Sequence, residues 1–181
     1  MKLMFLTIGL AVLSLLVSCN NENTETSDAT QATGAPQASA TEITAADPGS
    51  GLPNLQMVAA DNKMVSLSEF KGKKIFVNLW ASWCPPCKRE MPSIEKLYKA
   101  SDTAKVAFVL LSLDDQFAKA KNYLSGAKLD LPIYYPAQNL PSLFNVQSIP
   151  TTFIFDEKGA LIKKVEGSED YSTKEFINLL K

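Results

Sequence analysis

The feature that constrains this chain most is a junction. A mostly apolar run, Ile75-Phe76-Val77-Asn78-Leu79-Trp80, passes through Ala81-Ser82-Trp83 into Cys84-Pro85-Pro86-Cys87. The run is rich in strand formers and shows no strict alternation of apolar and polar residues, as in a central strand covered on both faces. Beyond it, from residue 85 to about residue 100, Met91, Ile94, Leu97 and Tyr98 recur at helical spacing. Pro85 suits the first helical position, where its missing N–H leaves nothing unpaired. The cysteine pair therefore stands where a buried strand turns into an amphipathic helix.

The segments on either side extend this into an α/β pattern. Residues 55–58 and 64–67 flank the polar turn Asp61-Asn62-Lys63, as a hairpin requires. Residues 106–113 are a second continuous apolar strand, residues 116–124 are helical, 131–135 extended and 140–146 a short helical piece. Residues 151–155 and 161–166 read as strands joined by Asp156-Glu157-Lys158-Gly159, and residues 173–180 close the chain with a helix. The expected architecture is a central mixed sheet flanked by helices, with an amino-terminal hairpin.

Three regions are expected. Lys2 and an apolar run over residues 3–17 have the length of an export signal and are short for a bilayer span. The run ends in Leu16-Val17-Ser18-Cys19, which resembles the bacterial lipobox and implies a signal peptide over residues 1–18 and a lipid on Cys19. Residues 19–50 hold Asn, Thr, Ser, Ala, Gln and Gly with five acids and no lysine or arginine, the composition of a solvated linker. Such a tether reaches roughly 30 Å from the membrane. Residues 51–181 form the folded domain, with 17 basic and 14 acidic side chains. The whole chain has a net charge of −1 and no aromatic-interleaved basic patch, so nucleic acid is set aside as a partner.

The chain has no histidine, which removes Ser-His-Asp and Cys-His nucleophile systems and a His-ligated zinc site. With Cys19 assigned to the lipid, Cys84 and Cys87 are left as a close pair. A redox cysteine must be a thiolate, and a helix amino terminus favours the anion through its unpaired amides and dipole. Cys84 is thus expected to be the exposed, attacking sulfur. Cys87, nearly one helical turn on, is placed to resolve a mixed disulfide. Pro85 and Pro86 stiffen the loop between them. The same two sulfurs would also suit a Cu(I)-binding carrier, though no further ligands complete a zinc site within the chain.

The segment Trp80-Ala81-Ser82-Trp83-Cys84-Pro85-Pro86-Cys87-Lys88-Arg89-Glu90-Met91-Pro92 resembles the active-site segment of the ResA/TlpA branch of the thioredoxin superfamily. Ser148-Ile149-Pro150-Thr151-Thr152-Phe153 is similar to that family's cis-proline segment. The resemblance covers about residues 52–181 and implies a thioredoxin-like fold, in which the helix and strand over residues 116–135 are an insertion that the branch carries. It implies that Ile149 and Pro150 face the cysteines and meet an extended substrate; Trp83 is expected to shield the disulfide and, with Pro86, to offer a contact face. Pro92 resembles the proline that kinks the active-site helix, and Gly167 looks like the glycine that lets substrate backbone approach. Thioredoxin's buried aspartate is replaced by Asn78, which cannot titrate. Glu90 matches the branch's glutamate beside the cysteines, whose charge would oppose thiolate formation and pass a proton during exchange. Ala81 stands where a related peroxidase would carry threonine.

The implied activity is thiol-disulfide exchange outside the cytoplasm, needing no cofactor beyond the cysteine pair. Reduction of protein disulfides, with apocytochrome c as leading substrate, is the first reading, and a disulfide oxidase is the alternative. A reductase in an oxidising compartment must itself be re-reduced, so the resemblance implies a membrane-embedded electron donor. The expected place is the periplasm-facing surface of a bacterial membrane, held by the lipid on Cys19.

Overall fold

A computed structural model of the protein describes residues 51–181. The expected signal peptide over 1–18, the lipid site at Cys19 and the linker over 19–50 lie outside the described residues.

Among the described residues, seven strands form one sheet in the order β2-β1-β5-β4-β3-β6-β7. The hairpin is β1 (Gln56–Ala59) and β2 (Met64–Ser66); β3 (Lys74–Trp80) and β4 (Val106–Ser112) are central, followed by β5 (Ile133–Pro136), β6 (Thr151–Phe155) and β7 (Leu161–Glu166). The pairs β3–β4 and β4–β5 are parallel, and the other four are antiparallel. Three α-helices accompany them in the same region: α1 (Pro85–Ala100), α2 (Phe117–Ala127) and α3 (Lys174–Leu179).

The two-residue period of the strands sorts the core into two layers. Phe76 and Trp80 of β3, Phe108 and Leu110 of β4 and Ile154 of β6 pack with Met91, Ile94, Leu97, Ala120, Leu124 and Phe176 of the helices. On the opposite face Ile75, Val77, Leu79, Val109, Leu111, Phe153 and Phe155 pack with Leu55, Met57, Leu67 and Phe144. Every residue of β4 is buried, which explains the unbroken apolar run from Val106 to Leu111. The edge strand β7 instead alternates between half-buried and exposed.

Helix α1 starts as its sequence suggests, with Cys84 as N-cap and prolines in its first two positions. Pro92 lies inside the helix and cannot donate to the Lys88 carbonyl four residues earlier. The Tyr123 hydroxyl reaches that carbonyl at 3.5 Å, the outer limit of a hydrogen bond, so α2 partly supplies what Pro92 removes.

Two local expectations change. The helical piece over 140–146 contracts to a 3₁₀ turn, Ser142–Phe144, that follows directly on Pro141. A second 3₁₀ turn, Leu67–Phe70, follows the hairpin. Its signal is a capping box, in which Ser66 Oγ accepts from the Ser68 N–H and Glu69 Oε1 accepts from the Ser66 N–H.

Candidate active site

The end of β3 delivers the chain into a turn over residues 81–84, closed by the Cys84 N–H donating to the Ala81 carbonyl at 3.1 Å. Cys84 and Cys87 form a disulfide with their Cα atoms 5.3 Å apart. The Cys87 N–H, one of the helix's unpaired amino-terminal donors, points at Cys84 Sγ at 3.2 Å. The same donor favours a thiolate there once the disulfide opens.

Cys84 differs from expectation in its exposure. It is only 3% exposed and Cys87 is fully buried, so neither is an open surface sulfur in the disulfide form. The cause is the segment before β6, whose Ile149 carbonyl lies 3.8 Å from Cys84 Sγ. The Ile149-Pro150 peptide bond is cis, and Pro150 is buried. Pro86 is half-buried on the first turn of α1. Trp83 points outward, 62% exposed, beside an open groove of about 400 Å³ lined with Leu113, Val146, Gln147, Ser148 and Ile149. Gly167, just beyond β7, has a φ of +88° with open space where a Cβ would stand. Its N–H donates to the Pro150 carbonyl at 2.9 Å, so that amide is used within the fold.

Glu90 is 2% exposed on the buried side of α1, one turn beyond Cys87. Its hydrogen bonds run to neither sulfur. Oε1 accepts from Asn78 Nδ2 at 2.9 Å and Oε2 from the Glu169 N–H at 3.3 Å. Burial pushes its carboxyl up from 4.5 to about 7, against the opposing pull of those two donors. Asn78 stands opposite Thr152 in the β3–β6 ladder and donates to Thr152 Oγ1 at 2.9 Å. The same oxygen accepts the Tyr171 hydroxyl at 2.6 Å. Burial, with the nearby Glu90 charge, also raises the Tyr171 hydroxyl above its ordinary range.

A chain of polar groups, Glu90-Asn78-Thr152-Tyr171, therefore links α1 to β3, β6 and the segment before α3. Sequence reasoning singled out Asn78 and Glu90 separately but missed their contact; it named Thr152 only as part of the cis-proline segment and missed Tyr171 altogether. It also passed over Asp114, a buried acid just past β4 whose carboxylate binds Ser82 in the turn before Cys84. The available signal was position, because sites of open α/β sheets gather at the carboxyl ends of parallel strands.

The sequence matches the Redoxin family over residues 25–179. It is 36% identical over 115 residues to the thioredoxin-like protein YneN of Bacillus subtilis (strain 168), covering 62% of this chain and 68% of that protein. The thiol-disulfide oxidoreductase ResA of the same organism is 29% identical over 135 residues, 74% of this chain and 75% of ResA. Among solved structures, StoA from Bacillus subtilis superposes with a TM-score of 0.60 at 26% identity, over 71% of this chain and 97% of StoA. A cysteine pair at the head of α1, the segment before β6 packed against it and these likenesses together establish a thiol-disulfide oxidoreductase: the chain belongs to the Redoxin family and to the ResA/TlpA-like branch of the thioredoxin superfamily.

Proposed function

We propose that the protein works outside the cytoplasm as a reductase of protein disulfides, held to a bacterial membrane by a lipid on Cys19. The thiolate of Cys84 attacks a substrate disulfide. The substrate S–S bond breaks, one substrate sulfur leaves as a thiolate and takes up a proton, and a mixed disulfide forms at Cys84. Cys87 then attacks Cys84 Sγ, which reforms the Cys84–Cys87 disulfide and releases the second substrate sulfur. Two electrons pass to the substrate, and a membrane-embedded donor returns them to the pair. No dissociable cofactor takes part.

The observation that carries the reductive direction is Glu90. A buried carboxylate one turn from Cys87 opposes a second negative charge at the sulfurs. It therefore favours the disulfide over the thiolate form, the property of a reductant. Protein disulfides as substrates fit the groove beside Trp83, and the disulfide of an oxidised apocytochrome c is the leading candidate among them.

The test is the reduction potential of the Cys84/Cys87 couple, obtained by equilibration with glutathione or dithiothreitol buffers. A value near that of thioredoxin, about −270 mV, supports the reductase. A value near that of DsbA, about −120 mV, makes the protein a disulfide oxidase and withdraws the cytochrome assignment.

A further inference from the structure

Asp114 is 3% exposed, and hydrogen-bond donors surround its carboxylate. The Ser82 N–H is shared between Oδ1 at 3.2 Å and Oδ2 at 3.1 Å, the Ser82 hydroxyl donates to Oδ1 at 2.7 Å, and the Ser112 hydroxyl to Oδ2 at 2.8 Å. The Asp114 N–H donates in turn to Ser112 Oγ at 3.2 Å. No lysine or arginine among the described residues pairs with it. Lys119, near enough to feel its charge, is held by Asp115 at 2.8 Å.

A buried carboxylate without a counter-ion is costly unless such donors saturate it. Here most of the donors belong to one residue. Ser82 is a central residue of the turn whose last residue is Cys84, and that turn is otherwise closed by one backbone hydrogen bond. The neighbouring Leu113 N–H donates to the Trp80 carbonyl at 2.8 Å, so the chain leaving β4 is bonded to the end of β3 at Leu113 as well as to the turn at Asp114.

We propose that Asp114 is a positioning residue for exchange at Cys84. It pins the turn to the end of β4, which holds Cys84 Sγ against the Cys87 N–H and keeps Trp83 turned outward. Its effect belongs to the reduced state. In the oxidised protein the disulfide itself fixes Cys84; once that bond opens, the turn and its anchor hold the sulfur in place. The proposal rests on Cys84 being the attacking sulfur.

The test uses the full chain, reduced, with two readouts: the pH dependence of Cys84 alkylation by iodoacetamide, and kcat/KM for reduction of insulin disulfides. In Asp114→Ala the Cys84 thiol pKa rises by about one unit and kcat/KM falls on the order of tenfold. Asp114→Asn stays within about threefold of the parent, because its Oδ1 keeps both Ser82 bonds while Nδ2 donates to Ser112 Oγ. A Cys84 pKa lowered alike in both variants would mean that the charge acts, not the anchor, and overturns the proposal. So would unchanged pKa and kcat/KM with only thermal stability lost. Should Asp114→Ala not fold, Ser82→Ala removes the hydroxyl bond alone and must shift the Cys84 pKa upward by a smaller amount; no shift there refutes the anchor. Alkylation of Cys87 ahead of Cys84 in the parent protein would instead sink the attacking-sulfur assignment, and is read separately.

Discussion

Glu90→Gln turns a buried acid into a neutral isostere, and its effect on stability follows from where the carboxylate sits. In the folded protein the carboxyl is raised from 4.5 to about 7, so the fold holds its proton more tightly than the unfolded chain does. The stabilisation from that proton is fully present below about pH 4.5 and is lost as pH rises through about 7. The full span amounts to about 3.4 kcal/mol, of which about 2.5 kcal/mol falls between about pH 5 and about pH 8. The amide that replaces the carboxyl binds no such proton, so the variant must gain on the parent by about 2.5 kcal/mol across that interval. Denaturant titrations of both proteins, oxidised so that neither sulfur titrates, read the gap directly. All other ionisable groups are shared and cancel. A gap that stays constant within about 0.5 kcal/mol from about pH 5 to about pH 8 would show that Glu90 is not the buried, proton-binding group described.

The same substitution should raise the reduction potential, by up to about 30 mV for each unit by which the Cys84 thiol pKa falls, the full shift appearing at pH above that pKa; equilibration with glutathione checks this, and a lowered potential contradicts the Glu90 argument. Cys87→Ser is expected to accumulate a mixed disulfide with substrate on non-reducing gels while Cys84→Ser accumulates none, and the reverse pattern would exchange their roles. Trp83→Ala removes a side chain that is 62% exposed, so stability should stay within about 0.5 kcal/mol while KM for a protein disulfide rises several-fold. Reduction of a small-molecule disulfide should be untouched; equal losses on both substrates would place Trp83 at the sulfur and not at the partner. Tyr171→Phe deletes the 2.6 Å bond to Thr152 and should cost about 1 kcal/mol by denaturant titration, and no measurable loss would mean that the hydroxyl adds nothing to the buried chain.

What the sequence disclosed was local. The apolar run into Cys84, the prolines behind it and the helical spacing to Leu97 lie within one strand and one helix, so periodicity and helix-start chemistry suffice to place them. Hairpin and closing helix were legible for the same reason, whereas the inserted helix and strand were recognised by the family resemblance. What stayed hidden depends on contacts across the fold. The low exposure of Cys84 is imposed by Ile149, which is 65 positions away. Thr152 reads as one more strand residue and Tyr171 as one more core aromatic, until the β3–β6 register sets Asn78 opposite Thr152. Asp114 looks like an ordinary turn acid after a strand, and only the parallel pairing of β3 with β4 brings it to Ser82.

The strand order also settles how load passes through the domain. Strand β1 is bonded to β2 on one side and to β5 on the other, and β5 alone links that hairpin to β4. A pull applied at the amino-terminal end of the domain is thus taken up first by the β1 ladders. The strands that carry Asn78 and Thr152 lie on the far side of β4. Within the sheet, the amino-terminal hairpin thus reaches the strands that carry Asn78 and Thr152 only through β5 and β4.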